Sequence, residues 1–259
     1  MRIQTLLTAS LLIVAASVAS ADITVTSSVE GTGLAKMADG DTTAYIKGKK
    51  MRTQQESARV SLATIIDLES DQYVVMQTNK EKAEVYTVNE IAAAQRAIGA
   101  EDISVSIKAT GETREILDWK CDEHEIKIVV NAANPGAPDM AMDVVVTGNV
   151  CLAPDAPGAQ EYADFYAEAA KQGLFFGDPK AAEAQPGREK AMTELYRAMA
   201  EKGLPLYSEI TVGFEGSGML AAMMKRMGVT MTTTVTSVST DAIADEMFEI
   251  PKGYKVKNK

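Results

Sequence analysis

Residues 59–88 read "RVSLATIIDLESDQYVVMQTNKEKAEVYTV". Apolar and polar side chains alternate here in short runs rich in Val, Ile and Tyr, and polar turns such as Ser70-Asp71 separate the runs. That period of two is the signature of half-buried strands in an antiparallel sheet. The same texture begins earlier, in "ITVTSSVEG" from Ile23 and "TTAYIKGKKMRTQ" from Thr42, with Asp39-Gly40 as a further turn. Residues 23–87 therefore predict four or five consecutive antiparallel strands. A short helix follows in "EIAAAQRAI", with Asn89 as its cap and Gly99 as its stop. Strand texture resumes at "ISVSIKAT".

The next hairpin can be given a register. Ile126, Ile128 and Val130 share one face of the first strand and Met142, Val144 and Val146 one face of the second, around the turn-rich "NAANPGAPD". A slip of one residue would set apolar side chains against the polar face; slips of two leave the pattern unchanged. Pairing residues whose numbers sum to 272 sets Cys121 opposite Cys151, the only two cysteines, and so breaks the tie. A bridge between them is expected in an oxidising compartment.

Beyond Cys151 the composition shifts to Ala, Pro, Glu and Gly. An excursion over 158–203 carries two amphipathic helices, one presenting Tyr162, Phe165, Tyr166 and Ala169, the other Met192, Leu195, Tyr196 and Met199. Strands return in "LPLYSEITVGFE", where Ser208, Ile210, Val212 and Phe214 alternate, and in the Thr-rich "VTMTTTVTSVST". Between them lies "GSGMLAAMMKRMGVTM", residues 216–231, with five methionines from Met219 to Met231. Read as a helix ended by Gly228, it lines up Met219, Leu220, Met223, Met224 and Met227 as one broad apolar stripe. Three roles compete for it: core packing, a lid over an acyl-chain or lipid cavity, and Cu(I) ligation through thioethers.

Residues 1–21 have the form of a secretory signal peptide: Arg2, an apolar run over 6–16, then Ala19-Ser20-Ala21. The run is too short for a membrane span and no later segment is longer, so an exported, periplasmic or secreted chain that is not an integral membrane protein is expected. Loss of Arg2 leaves 25 basic against 36 acidic residues from Asp22 onward, a charge that disfavours nucleic acid. Catalytic signals are missing. His124 is the only histidine and shares a face with Ile126 and Ile128; Ser217 in "EGSGM" lacks the spacing of a nucleophile elbow; "GTGLAK" at Gly31 reads as a turn; Asp39 and Asp41 lack the regular spacing of a calcium loop. No enzyme, cofactor or metal site is expected.

Three motifs carry a resemblance. "AYIKGKKMRTQ" followed by "IIDLESDQYVVMQTNKEKAEVY", then "TGETREILDWKCDEHEI", and the closing "DEMFEIPKGYK" resemble an exported bacterial family known as domain of unknown function 4412. That family looks akin to the outer-membrane lipoprotein carriers. The resemblance implies a mainly β, α+β fold: a curved, open antiparallel sheet, or half-barrel, with a few helices on its concave side, formed by a single domain over 22–259. It supplies no catalytic residues. The combined expectation is an exported, non-enzymatic protein binding a hydrophobic small molecule, lipid or lipoprotein. Its candidate contacts are Met219, Leu220, Met223, Met224 and Met227, then Tyr162, Phe165, Tyr166 and Tyr196. The competing expectation is a structural or interaction domain with a filled core, and Cu(I) binding by the methionine stripe stands third.

Overall fold

The structure, a computed structural model, describes residues 22–57, 61–96, 103–132, 142–174, 186–216 and 228–259. The signal-peptide reading of 1–21, the helix stop at Gly99 and the whole stripe Met219, Leu220, Met223, Met224 and Met227 lie outside the described residues.

Six strands, where four or five were expected, occupy the first third of the chain. They are β1 (Ile23–Gly31), β2 (Gly40–Lys47), β3 (Lys50–Glu56), β4 (Ser61–Asp67), β5 (Gln72–Gln77) and β6 (Lys82–Thr87). The extra count arises because "TTAYIKGKKMRTQ" is itself a hairpin: Gly48, at φ +56°, turns β2 into β3 within two residues. Helix α1 (Val88–Arg96) follows. Its cap is Thr87, not Asn89. The Thr87 hydroxyl accepts the Glu90 backbone N–H at 3.1 Å while the Glu90 carboxylate accepts the Thr87 backbone N–H at 3.3 Å, a reciprocal capping box. Asn89 instead donates to Asp71 through its backbone N–H and its amide.

The second half returns as β7 (Ile103–Ile116), β8 (Trp119–Ala132) and β9 (Met142–Ala153), then helices α2 (Ala159–Gln172) and α3 (Pro186–Ala200). β10 (Leu204–Glu215), β11 (Val229–Ser239) and β12 (Lys255–Asn258) complete the chain. All twelve strands form one open, curved sheet in the order β12-β6-β5-β4-β3-β2-β1-β11-β10-β9-β8-β7. The order explains itself as two meanders. One steps outward from β1 to β6; the chain then crosses to the far edge, and the other steps inward from β7 until β11 pairs with β1. Each meander is made of antiparallel pairs between strands consecutive in the chain, and the pairs distant in sequence are the β1–β11 seam and the β6–β12 edge.

The sheet departs from the expected antiparallel pattern at one edge, where β12 runs parallel to β6. After β11 the chain crosses the convex back of the sheet. Ile243, Met247, Phe248, Ile250 and Tyr254 pack there on Tyr45, Ile65, Val74, Met76 and Ala83. The crossing is pinned at its start: Asp22 accepts the Ile243 backbone N–H at 2.6 Å, and Lys47 donates to the Ile243 carbonyl at 2.7 Å and meets Asp245 at 2.8 Å. It meets the β6 edge at the start of that strand, where Lys255 stands beside Lys82, and from there runs alongside β6 in the same direction. The closing "DEMFEIPKGYK" motif is the element that seals the sheet's back. Arg52 lies beneath it, 8% exposed, donating to the Met247 carbonyl at 2.9 Å.

The β8–β9 register also differs from expectation. Ile128 faces Val146, Val130 faces Val144 and Ile126 faces Gly148, so opposing numbers sum to 274. Parity is as read, but the strands are offset by two. Glu123 is the residue directly opposite Cys151, and the Cys121–Cys151 bridge joins a diagonal pair with Cα atoms 5.3 Å apart. That separation lies within the ordinary range for a disulfide, so a diagonal pair in a twisted sheet satisfies it as well as a direct pair.

The β7–β8 turn is built from residues ill suited to it. Leu117 and Asp118 are its two central residues and both are left-handed, at φ 52° and 66°. That conformation costs about 1–2 kcal/mol per ordinary residue and favours Asn-Gly. Replacing Leu117-Asp118 by Asn-Gly should raise the unfolding free energy by about 1–2 kcal/mol, read as a higher urea midpoint at unchanged slope. Leu117 is 37% exposed, so little packing is lost; a lowered midpoint would show otherwise.

Candidate functional site

The concave side has two unlike ends. At the end where β2 turns into β3, α2 plugs the sheet. Gly158, at φ +74°, starts the helix so close to β1 that a Cβ would lie 2.6 Å from the Ile23 side chain. Gly173, at φ +73°, ends it, with its N–H on the Ala170 carbonyl and that of Leu174 on the Ala169 carbonyl. Held between these glycines, Tyr162, Phe165, Tyr166 and Ala169 are buried as the sequence predicts. They join one cluster with Ile23, Ile46, Met51, Ile66 and Tyr73.

The four aromatic candidates come together. Tyr166 lies 4.5 Å from Tyr162, 5.8 Å edge-on from Phe165 and 5.7 Å from the stacked ring of Tyr196 on α3. Burial pushes the Tyr162 and Tyr166 phenols well above their ordinary range, first by desolvation and then by the neighbouring phenols. They stay neutral and form a polar thread inside an apolar plug.

The opposite end differs. Registers across β7 to β11 place Val105, Ile128, Val146, Val212 and Val229 in one cross-strand row, with Ile103, Val130, Val144 and Phe214 in the next. Helix α3 covers part of this floor: Ala191, Leu195 and Met199 pack on Ile126, Ile128, Val150 and Leu152. Toward the rim, Ile103, Val105, Val144, Ile210, Val212 and Phe214 are only half-buried, and Met231 is 37% exposed. Ile23 and Ile46 at the plugged end are 0% and 1% exposed. The rim across β2 to β5 is polar on its concave side, with Thr42, Thr53, Gln55, Thr64 and Gln77, and the Thr53 and Thr64 hydroxyls are hydrogen-bonded at 2.5 Å.

The methionine-rich stretch joins β10 to β11, whose facing residues Val212 and Val229 stand at this half-open rim. The sequence predicts an apolar concave face but not that its half-buried part lies across β7 to β11. The alternation of Ser208, Ile210, Val212 and Phe214 identifies the face without showing how far it is buried. His124 is buried among the floor residues, with Nδ1 3.0 Å from the Asp122 carbonyl, and serves packing. Among the described residues no group of three or more His, Cys, Asp or Glu side chains could hold a metal, and no helix is long and apolar enough to cross a membrane. A cleft of about 350 Å³ beside α2 is lined by Lys49, Glu161, Asp164, Glu168 and Lys171, a charged outer surface unrelated to the floor.

No family model matches the chain, so the likeness to domain of unknown function 4412 rests on the three motifs alone. No curated protein matches it either. Among solved structures it is similar to the crystal structure of the Mycobacterium tuberculosis lipoprotein LppX, at 9% identity and a TM-score of 0.37, with 85% of this chain and 90% of that chain covered.

Proposed function

We propose that this is an exported, non-enzymatic protein that binds the apolar part of a lipid, acyl chain or lipoprotein on the half-open floor of β7 to β11. The gradient of burial along one continuous concave face carries the reading. The same alternation that gives fully buried residues under α2 gives half-buried aliphatic and aromatic residues under the far end of α3, and apolar side chains held in that state favour an apolar occupant. The floor is walled by rigid strands, so it is formed before anything enters. Met219, Leu220, Met223, Met224 and Met227 belong to the segment joining two of those strands, and methionine is the side chain best adapted to irregular apolar partners. In this reading Tyr162, Phe165, Tyr166 and Tyr196 form the inner wall at which the occupant stops.

The test is native mass spectrometry with organic extraction of residues 22–259, purified from a bacterial periplasm without detergent. A stoichiometric lipid or fatty acid is expected. It should be lost in Ile210→Asn and in the Met223→Asn, Met224→Asn pair, while each variant keeps a cooperative thermal transition. A clean apo mass that added fatty acid or Cu(I) does not change would overturn the proposal and favour a filled structural domain.

A further inference from the structure

We infer that the concave side of the β5-β6-β12 edge is a binding site for a phosphate or carboxylate oxyanion, such as the headgroup of an anionic amphiphile. The parallel pairing of β12 makes it. Gln77, Lys82 and Lys255 stand in one cross-strand row, and Val75, Glu84 and Lys257 in the next. Residues in register across strands point to the same face, so three lysines from two distant parts of the chain share one surface. They line an open cleft of about 330 Å³ together with Val75, Gln77 and Glu84.

The charges there are available. Glu84 is the one carboxylate in the cleft and it is already engaged: it meets the Lys259 ammonium at 3.2 Å and accepts the Tyr86 hydroxyl at 2.8 Å. Among the described residues, Lys82, Lys255 and Lys257 form no ion pair, in a protein whose acidic groups outnumber its basic ones by ten. Lysines on a short edge strand also guard against edge-to-edge pairing, but that role is met by charge on either face. It does not account for three ammoniums gathered over one cleft beside the Gln77 carboxamide. The strand is fixed rather than frayed, since the Lys255 N–H donates to the Glu81 carbonyl at 2.8 Å and that of Lys259 to the Val85 carbonyl at 2.9 Å. A compact ammonium is a recurrent partner of phosphate, acting as a point charge.

The amphiphile form of this inference rests on the proposed floor; the oxyanion site does not. The experiment titrates residues 22–259 with inorganic phosphate, dihexanoyl phosphatidylglycerol and dihexanoyl phosphatidylcholine, below micelle formation, at about 0.01 M salt, where screening extends about 30 Å. The anionic ligands should bind. The Lys255→Gln, Lys257→Gln pair should weaken them about tenfold or more, with the thermal transition unmoved, and a control pair at the far edge, Lys120→Gln with Lys127→Gln, should leave them unchanged. Equal binding of the two lipids, no effect of the β12 pair, or an equal effect of the control pair would overturn the site. Phosphate bound as tightly as phosphatidylglycerol would make it a free-anion site. Tighter phosphatidylglycerol, weakened by Ile210→Asn while phosphate is not, would make it a headgroup site. Loss with the lysine pair but not with Ile210→Asn would retain the oxyanion site and remove the hydrophobic floor.

Discussion

Phe165→Ala is expected to lower the unfolding free energy by about 3–5 kcal/mol, the range for deleting a fully buried phenyl ring from a close-packed core. The ring is 1% exposed and sits in the cluster that joins α2 to the β1–β5 half of the sheet. Its neighbours are poorly placed to collapse into the space. Tyr166 is held by its contacts with Tyr162 and Tyr196, and α2 is fixed at both ends by left-handed glycines, one against Ile23. For a domain of this size the loss corresponds to a fall in Tm of roughly 10 °C. Phe165→Leu, which keeps most of the volume, should cost clearly less. The measurement is a urea titration of both variants, each repeated with fatty acid present. A cost below about 1.5 kcal/mol for the alanine, together with loss of bound ligand, would mean that the ring borders an open cavity and that the hollow extends to this end.

That test bears on the place where the sequence could say least. Alternation in β10 marks Ser208, Ile210, Val212 and Phe214 as one face, and alternation in β1 marks Ile23 and Val25 in the same way; yet one face is half-open and the other sealed. The difference is set by where α2 and α3 lie along the strands, which depends on tertiary packing and leaves no periodicity. The register of β8 against β9 failed for a related reason. A period of two determines parity alone, and the cysteines, used to choose among even slips, tolerate a diagonal pairing. At α1, residue type favoured Asn89, whereas the reciprocal Thr87–Glu90 pair was already visible as T-x-x-E. The parallel β12 edge was out of reach, because nothing local in "KVKN" tells which distant strand it will meet.

The Cys121→Ala, Cys151→Ala protein should be less stable than the native one by about 3–4 kcal/mol, chiefly through the unfolded chain. The bridge closes a loop of 30 residues, and on the chain-entropy model a cross-link of that span removes this much freedom from the denatured ensemble. In the folded state it adds little order, since β8 and β9 are already zipped from Asp122 to Ala132. Both sulfurs are fully buried in the main cluster, beside Ile116 and Trp119, so serine would add an unsatisfied hydroxyl and alanine is the cleaner probe. Two observables separate the mechanisms. If the unfolded state carries the effect, the urea midpoint falls while the slope m rises, because the uncrosslinked chain exposes more surface. If lost packing dominates, the midpoint falls at constant m. The bridge lies at the plugged end of the hairpin, whereas Val130 and Val144 reach the opposite rim. Ligand binding should therefore survive removal of the bridge wherever the protein remains folded, and binding lost well below the unfolding midpoint would show instead that the bridge tensions the floor.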